Sequence, residues 1–308
     1  MSGRVSAVIV SFNTREDLLR CLGSLLPIPR DLLDEVLVVD NASSDGSVEA
    51  VRERCPEVRV VANPQNAGFA RANNQGLRET RGGLVLFLNS DAELRPGALQ
   101  ALVSTLDRRP ELGLVGPRTL NSDGTVQVSY GPLLTPLAEW RQRRRVRAVS
   151  RRDPAALRRL EAEARRDGSP DWLSGSCLLA RREALSAVNG FDESFFLYEE
   201  DVDLCLRVRR AGWEIAYVAA AEVVHHLGRS SAGQPTRAGL EYHRSHLLYY
   251  RKHNGPLLTG LLRLFLGARA ALGFFGSLWK GPTAFESRRH HARLWRLAWR
   301  GPRDRQDV

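Results

Sequence analysis

The sequence predicts an α/β fold in which helices cover both faces of a mostly parallel central sheet. Short apolar, β-branched runs alternate with segments of helical period through the first part of the chain. Two of these runs end at an aspartate, Asp40 and Asp91. Because open α/β sheets bind ligands at the carboxyl ends of their strands, we expect these two aspartates to be neighbours at one edge of the sheet.

Five strands and four helices are predicted in the first half. Pro27 ends the first helix, Ser43 and Asp45 are typical of the start of the second, and Pro96 suits the first position of the fourth. The predicted strands are Val5–Val10, Val36–Val39, Val58–Val61, Leu84–Leu88 and Leu112–Val115. The predicted helices are Arg15–Leu26, Ser43–Arg54, Ala67–Thr80 and Gly97–Arg108.

The second half is less regular. A charge-rich insert, residues 141–170, is expected to be helical or mobile and to end at Gly168 and Pro170. After it the pattern predicts, in order, a strand, two helices and a strand: Trp172–Leu179, Glu183–Val188, Val202–Arg210 and Glu214–Val218.

The C-terminal segment is apolar and rich in glycine from Leu257 to Trp279, but Arg263 and Arg269 interrupt it. A membrane span needs about 20 uninterrupted apolar residues, and a central arginine is costly in hydrocarbon. We therefore predict an interfacial helix or hairpin rather than a span. The predicted division is a catalytic domain over residues 1–255 and a basic amphipathic segment over residues 256–308.

The net charge of +10 is unevenly distributed. Residues 141–166 hold eleven arginines and residues 256–308 hold nine, so the rest of the chain is mildly acidic. Two basic attachments on an acidic body argue against a nucleic-acid partner and favour contact with an anionic membrane surface.

The cysteines have no metal-type spacing and lie in apolar segments, so we expect buried, reduced thiols at Cys21, Cys55, Cys177 and Cys205. The first residues, MSGR, run directly into a strand pattern without a charged-then-apolar leader. These features predict a cytoplasmic protein, held peripherally at the inner face of the cell membrane by its basic segments.

Seven motifs occur in the order found in family 2 glycosyltransferases: VIVSFN, VVDNASSDGS, NPQNAGFARANNQG, LFLNSDAEL, WLSGSCLLARREAL, NGFDESFFLYEEDVDLCLRVRRAGW and VVHHLGRSS. From Val5 to Ser231 the chain resembles this family, and within it the bacterial rhamnosyltransferases of cell-wall, capsule and O-antigen assembly. The resemblance implies a Rossmann-like GT-A fold. It also implies inverting transfer of a sugar from a dTDP- or UDP-linked donor to a glycan or lipid-linked glycan.

The resemblance implies a Mg²⁺ or Mn²⁺ ion at Asp91, because a divalent ion commonly binds one or two carboxylates together with substrate phosphate oxygens. The family's Asp-x-Asp reads Asn89-Ser90-Asp91 here, so only one carboxylate remains. His225 resembles the late histidine of the metal shell, and His226 is the alternative in register. A strand-end histidine bonded to backbone is the competing interpretation.

By the same resemblance, Asp40 accepts the N3–H of uracil or thymine. Asn41, Ser43 and Asp45 also suit a helix N-cap, and both roles can hold at once, with Asp40 on the base and Ser43 on the helix. The remaining nucleotide contacts implied by the resemblance are Ser11, Asn13, Asn89 and Ser90.

A further candidate for donor binding is the stretch containing Asn66, Gly68, Arg71 and Asn73. It has the glycine and the amides that let backbone approach a ligand. A glycine turn before an ordinary helix is an equally good interpretation.

Asp201 resembles the general base, and Glu200 is the second candidate. Asp201 is expected at the start of the helix Val202–Arg210 with its carboxylate free for a cleft. Such a base removes the proton of the acceptor hydroxyl as its oxygen attacks. Alternatively, these acids only open a helix whose N-terminus favours anions. Arg207 and Arg209 are expected to balance the acidic cluster.

The acceptor side is expected at Gly175 and Ser176, a turn that faces the acceptor by resemblance but is equally explained as a plain β-turn. Phe195, Phe196 and Tyr198 are suited to stacking on a sugar or to packing in the core.

Two other functions compete with sugar transfer. A sugar-nucleotide nucleotidyltransferase needs a glycine-rich basic loop after its first strand, where this chain has VIVSFNTRED. A non-catalytic nucleotide-sugar-binding protein on the same fold is compatible with the missing first aspartate of the metal motif.

Overall fold

The computed structural model describes residues 5–226, 235–278 and 285–301. Backbone contacts divide the chain into two units. The first comprises Met1–Ser194 and Glu200–Ser230, and the second comprises Phe195–Glu199 and Ser231–Val308. The predictions for the first four residues, for Leu227–Ser231 of the last motif and for Trp279 fall outside the described residues.

The described residues of the first unit form ten strands. In chain order they are β1 Val5–Ser11, β2 Leu33–Asp40, β3 Arg59–Ala62, β4 Leu84–Asn89, β5 Ala92–Leu94, β6 Leu112–Leu120, β7 Tyr130–Gly131, β8 Trp172–Leu173, β9 Cys177–Arg181 and β10 Glu214–His225. Eight form one sheet in the order β3-β2-β1-β4-β9-β6-β10-β5, and β7 pairs with β8 separately. The main sheet is mostly parallel, as predicted, with antiparallel pairing where β9 and β5 join it.

Helices cover the sheet and form the second unit. They are α1 Arg15–Leu25, α2 Ser47–Arg54, α3 Phe69–Glu79, α4 Ala98–Arg108, α5 Pro136–Ser150, α6 Pro154–Ala164, α7 Arg182–Ala187, α8 Glu200–Arg210, α9 Pro235–His253, α10 Gly255–Leu278 and α11 Phe285–Arg300. The first eight belong to the first unit and α9 to α11 to the second.

Strand β1 is buried along its whole length because β2 and β4 flank it in parallel. Their register pairs Ser11 with Asp40 on one side and Val10 with Asn89 on the other. The carboxyl ends of β2 and β4 therefore lie at the same edge of the sheet, separated only by β1. This arrangement agrees with the expectation for Asp40 and Asp91.

Helix α3 lies close against β1 at Gly76. A Cβ atom at Gly76 would lie 2.3 Å from Cγ1 of Val8, so only glycine permits this approach. This close packing fixes the position of α3 along β1. It therefore also fixes where the loop before α3 lies relative to the carboxyl ends of the strands.

Two predicted helix starts were wrong. Helix α2 begins at Ser47, after Gly46 in the left-handed region, and not at Ser43. Helix α4 begins at Ala98 after a left-handed Gly97, so Pro96 lies outside the helix. In both cases a glycine with positive φ turns the chain immediately before the first helical residue.

The predicted strand Trp172–Leu179 is in fact two strands. Trp172–Leu173 pairs with β7, whereas Cys177–Arg181 enters the main sheet. The turn between them carries Gly175 and Ser176. Strands β6 and β10 extend further than predicted, so β10 reaches His225.

The arginine-rich insert is helical, the first of its two predicted states. It forms α5 and α6, each with a proline in its first turn after an N-cap residue, Thr135 or Asp153. Each N-cap side chain accepts a hydrogen bond from the backbone N–H of the third residue of its helix, which explains why both helices start where they do.

In the second unit α10 and α11 form a helical hairpin. Arg263 of α10 donates hydrogen bonds to the carbonyls of Ala298 and Trp299 at the end of α11. Gly267 lies beside Trp299, and Gly273 lies beside His291. The segment Gly255–Ser277 has the length and composition to cross a membrane.

All four cysteines are free and buried, as predicted. Burial raises the pKa of the Cys205 thiol to about 12, and it also raises the pKa of the Cys177 thiol. These thiols are protonated core side chains.

Candidate active site

The candidate site is built at the edge of the sheet where β1, β2 and β4 end. The backbone N–H of Asn89 donates to the carbonyl of Ser176 at 2.9 Å, which joins the end of β4 to the turn before β9. The last residue of β10, His225, pairs with Ala92. One edge of the sheet therefore brings together the chain segments that contain Ser11, Asp40, Asn89, Ser176 and His225.

Asp40 is buried and uses one carboxylate oxygen to hold its own loop. Its Oδ1 accepts the N–H of Ser43 at 2.8 Å. Among the described residues its Oδ2 has no hydrogen-bond partner. The hydroxyl of Ser43 accepts the N–H of Asn13 and caps no helix. The N-cap interpretation is therefore wrong for Ser43, and Asp40 retains a buried oxygen available to a ligand.

Three of the predicted nucleotide contacts bind other loops. Asn13, in the left-handed region, accepts the N–H of Ser44 through its side chain. Thr14 donates its hydroxyl to Ser90 Oγ at 2.9 Å and lies 3.2 Å from Ser11 Oγ. These bonds tie the loop after β1 to the loops after β2 and β4, so Asn13, Ser11 and Ser90 shape the edge of the sheet.

The loop before α3 is shaped by its own amides. Asn66 Oδ1 accepts the N–H of Gly68, whose φ is +89°, and Asn41 donates to the carbonyl of Gly68. Arg71 is exposed, and its guanidinium lies 3.8 Å from Glu193. Asn73 donates to the carbonyl of Phe69 within the helix. The glycine-turn interpretation accounts for these contacts.

Asp91 and His225 come together because β5 pairs with β10. Their side chains are buried, and Nε2 of His225 lies 3.3 Å from Oδ1 of Asp91. That Asp91 oxygen accepts no hydrogen bond within the described part of the chain, nor does Oδ1 of Asn89. Asn89 Nδ2 makes a long 3.4 Å contact with His225 Nε2. Gln127 Oε1 lies 2.9 Å from the other ring nitrogen.

His226, the alternative metal ligand, has both ring nitrogens engaged. Its Nδ1 lies 2.7 Å from Ser122 Oγ, and its Nε2 lies 2.7 Å from Glu93 Oε1. Of the two histidines, only His225 directs a ring nitrogen toward Asp91.

The residues at Asp91 and His225 fit a divalent ion. Adjacent ligands of an octahedral ion with bonds of about 2.1 Å lie about 3 Å apart, close to the observed 3.3 Å. Over residues 5–226, 235–278 and 285–301, no group of three or more His, Cys, Asp or Glu side chains could hold a metal. Asp91 and His225 would supply two ligands, and phosphate oxygens or water would suit the remaining positions.

Asp201 lies in the first turn of α8, and backbone groups bind both of its oxygens. Gly175 N–H donates to Oδ2 at 2.7 Å, and Val202 N–H donates to Oδ1 at 2.8 Å. The predicted free carboxylate is therefore wrong. Burial raises the pKa of Asp201 above its ordinary value, although the two N–H groups act in the opposite direction.

Gly175 lies close to Asp201: a Cβ atom at this position would lie 3.2 Å from Cβ of Asp201, so a larger residue would need Asp201 to shift by a few tenths of an ångström. The turn that contains Gly175 and Ser176 thus positions Asp201. Glu200 is buried at the first position of α8. Arg207 pairs with the buried Asp203 at 2.6 Å, whereas Arg209 pairs with Asp171 and does not balance the cluster.

The residues before Glu200 belong to the second unit. Tyr198 and Glu199 have φ values of +71° and +63°, a conformation that costs about 1–3 kcal/mol at each non-glycine residue. Glu199 Oε1 lies 2.6 Å from Nδ1 of His246 on α9, and both side chains are buried. Ser245 Oγ donates to the carbonyl of Leu197.

The aromatic residues of this segment differ in exposure. Phe195 is fully buried beneath Lys252, which corresponds to core packing, one of its two expected roles. Phe196 and Tyr198 are partly buried, and Tyr198 packs edge-on against Tyr242 of α9.

Sequence reasoning missed three residues of this region: Thr14, Gln127 and His246. The Asp123-Gly124 pair signals a turn after β6, from which a returning Gln127 could have been inferred. No local signal links His246 to Glu199, 47 residues earlier.

Comparison with known proteins gives consistent results. Residues 6–187 match the sequence model of Glycosyl transferase family 2. The chain is 34% identical over 276 residues to N-acetylglucosaminyl-diphospho-decaprenol L-rhamnosyltransferase of Mycobacterium tuberculosis, covering 83% of this chain and 87% of that protein. It is 32% identical over 248 residues to the O-antigen biosynthesis protein RfbC of Myxococcus xanthus, covering 71% of this chain and 17% of that protein.

The fold is also found in solved structures. The mannosyltransferase PcManGT from Pyrobaculum calidifontis, in complex with GDP-Man and Mn²⁺, superposes with a TM-score of 0.56 at 18% identity. The superposition covers 97% of this chain and 88% of that one. The predicted GT-A type fold is confirmed, and the matches favour sugar transfer over nucleotidyl transfer or binding alone.

Proposed function

The chain belongs to glycosyl transferase family 2, and on that premise we propose that this glycosyltransferase moves rhamnose, with inversion, from a dTDP- or UDP-linked donor to a hydroxyl of a lipid-linked glycan. The observation that carries the proposal is the buried, unpartnered Asp91 Oδ1 facing His225 within the described residues. The bonds that join Asp201 to Gly175, and Ser176 to Asn89, support a site at this same edge.

Donor binding is proposed at the ends of β2 and β4. Asp40 Oδ2 is suited to accept the N3–H of uracil or thymine, because it is buried and its partner oxygen already holds the loop. Asp91 and His225 would hold Mg²⁺ or Mn²⁺. When bound, that ion would neutralise charge on the donor's diphosphate as it leaves.

Asp201 is proposed as the general base. It takes the proton of the acceptor hydroxyl while that oxygen forms a bond to the anomeric carbon and the bond from that carbon to the diphosphate breaks. Burial raises the pKa of Asp201, which makes its ionised form a stronger base. Gly175 and Val202 hold the carboxylate in one orientation.

The rhamnose donor and the lipid-linked acceptor are proposed from the relatives. The M. tuberculosis protein is named for L-rhamnosyl transfer to N-acetylglucosaminyl-diphospho-decaprenol, and its match extends over most of both chains. We propose an acceptor of the same class, a sugar on a polyprenyl diphosphate at the cytoplasmic face of the cell membrane.

Peripheral membrane attachment is proposed for the α10–α11 hairpin. Large apolar side chains are exposed along it: Leu257, Leu261, Leu264, Phe265, Leu272, Phe275, Phe285, Trp295 and Trp299. Helix α11 also carries Arg288, Arg289, Arg293, Arg296 and Arg300. Apolar area combined with basic charge is suited to an anionic interface. We retain residues 1–255 for catalysis and 256–308 for attachment.

The transfer proposal is tested with purified protein, Mn²⁺ and a panel of dTDP- and UDP-sugars, with and without a polyprenyl-diphosphate-linked N-acetylglucosamine. We expect nucleotide release to depend on dTDP-rhamnose, on the metal and on the acceptor, with an inverted linkage in the product. A retained anomeric configuration would overturn the mechanism. Release with another donor would overturn only the rhamnose assignment.

Attachment is tested by flotation with vesicles of phosphatidylglycerol or of phosphatidylcholine alone. Binding to the anionic vesicles at low salt is expected. Protein that remains unbound to both would remove the membrane proposal and leave the transfer proposal intact.

A further inference from the structure

A tight turn follows β6 and returns the chain toward the end of β10. Asn121 N–H donates to the carbonyl of Thr125 at 2.8 Å, and Gly124, with φ of +78°, donates to the carbonyl of Asn121. Leu120 bridges Val126 across the turn. Gln127, the next residue, therefore lies beside the strand that ends at His225, and its backbone N–H donates to the carbonyl of Thr119.

The donor and the acceptor of each side-chain hydrogen bond in this turn can be assigned in sequence, starting from Asp123. Asp123 Oδ1 lies 2.5 Å from Thr125 Oγ1. The hydrogen bond from Thr125 lowers the pKa of Asp123, so the carboxylate is ionised and can only accept. Thr125 must therefore donate its single hydroxyl proton to Asp123.

Each later bond follows from this first one. Since Thr125 Oγ1 has donated its proton, it must accept from Asn121, which therefore presents Nδ2 at 3.0 Å. Asn121 Oδ1 then faces Gln127 and must accept from its Nε2 at 2.9 Å. Gln127 in turn presents Oε1 to His225 Nδ1 at 2.9 Å. The amide orientations are thus fixed by counting donors and acceptors.

We propose that Gln127 is a positioning residue that holds the proton of neutral His225 on Nδ1 and thereby keeps the Nε2 lone pair directed at Asp91 for a divalent ion. The proposal rests on the proposed metal site. Its structural basis is the bond chain from Asp123 to Gln127, together with the two buried acceptors that it leaves 3.3 Å apart, Nε2 of His225 and Oδ1 of Asp91.

Gln127 matters because His225 has a competing tautomer. With its proton on Nε2, His225 would donate to the Asp91 carboxylate and close the metal site with a charge-assisted hydrogen bond. The neighbouring His226 illustrates that closed arrangement, since its Nε2 lies 2.7 Å from Glu93 Oε1. An acceptor at Nδ1 favours the open tautomer, and such partners are typically worth 10–100-fold in metal affinity.

The first test needs no metal and no activity. Protein labelled with ¹⁵N in its histidines is examined by NMR at pH 8, well above the ordinary histidine pKa, and His225 is assigned by the signal that His225→Gln removes. The expected result is a protonated Nδ1 and an unprotonated, pyridine-type Nε2. A proton on Nε2 in the wild-type protein would overturn the proposal.

The second test measures Mn²⁺ affinity from the EPR signal of free Mn²⁺, in the presence of dTDP. Gln127→Met removes the acceptor at nearly constant volume and should weaken binding by about 10–100-fold. Gln127→Glu keeps an acceptor at His225 Nδ1 but loses the donor to Asn121, so it should weaken Mn²⁺ binding less than Gln127→Met does. Gln100→Met, on the exposed face of α4, is the matched control and should leave the affinity unchanged.

The outcomes separate this inference from the metal site itself. Wild-type affinity in a folded Gln127→Met protein would overturn the role of Gln127 while the metal site stands. Equal losses of Mn²⁺ affinity in Gln127→Met and Gln127→Glu would also overturn it, because keeping an acceptor at His225 Nδ1 would then make no difference. Failure of the wild-type protein to bind Mn²⁺ with dTDP would remove both the metal site and this inference.

Discussion

Asp91 is buried and Asp201 is partly buried, and their carboxylate oxygens have opposite surroundings. Oδ1 of Asp91 accepts no hydrogen bond within the described residues and faces a histidine nitrogen. Both oxygens of Asp201 accept backbone N–H groups. The surroundings of Asp91 suit an oxygen that binds a ligand. Those of Asp201 suit a general base whose orientation must be fixed before it accepts a proton.

The two regions also differ in how they are held. Asp91 follows a strand of the main sheet, and β10 brings His225 to it through ordinary ladder pairing. Asp201 follows two residues in the left-handed region, and contacts with α9 hold that segment. One carboxylate is positioned by regular structure and the other by strained backbone, so we expect them to respond differently to substitution.

The largest effect is expected for Asp91→Asn, which replaces the negatively charged carboxylate with a neutral amide. Mn²⁺ affinity and sugar transfer should both be lost, the transfer rate falling by about 10⁴-fold or more, because several kcal/mol of charge stabilisation disappear. EPR of Mn²⁺ and product formation measure the two losses. Normal Mn²⁺ binding in this variant would contradict the assignment of Asp91.

Asp201→Asn should reduce kcat by about 10²–10⁴-fold while Mn²⁺ and dTDP bind as in the wild type. Asp107→Asn, on the exposed surface of α4, is the matched control and should be fully active. If Asp201→Asn retains more than about a tenth of the activity, the base is assigned to Glu200 instead.

A smaller effect is expected at His246, which acts through Glu199. His246→Leu removes the bond to Glu199 and should lower kcat by about tenfold, whereas His246→Asn keeps a donor near the position of Nδ1 and should retain most of the activity. Mn²⁺ affinity should not change in either variant. Identical kcat values for the two variants would argue that the hydrogen bond has no positioning role.

The smallest predicted effect is on pH dependence. Because burial raises the pKa of Asp201, transfer should fall as the pH drops through that raised value, earlier than for an ordinary aspartate. A raised folded-state pKa also means that ionisation destabilises the fold, so stability from this group is full at low pH and declines as pH rises. Asp201→Asn should therefore gain Tm relative to wild type as the pH rises from about 4, the ordinary aspartate pKa, to above the raised pKa of Asp201.

The sequence predicted the parts of the site that depend on local pattern. Asp40 and Asp91 could be placed because an apolar run that stops at a polar residue marks a strand end. The start of α2 was misplaced because the Ser43 hydroxyl bonds Asn13, a contact between two loops that no local pattern encodes. The bond that holds Asp201 was missed because Gly175 lies 26 residues earlier in the chain. The Gly175 N–H reaches the carboxylate only after the turn before β9 has folded.

Arg263 has a practical consequence for engineering this enzyme. Its guanidinium binds the carbonyls of Ala298 and Trp299 in the last turn of α11, so a side chain of α10 satisfies groups that the end of α11 leaves unpaired. A shortened protein that keeps α10 but omits α11 would leave the Arg263 cation without these acceptors in an apolar helix. One that keeps α11 but omits α10 would leave the carbonyls of Ala298 and Trp299 without this donor. Truncations intended for easier handling should therefore remove or retain both helices together.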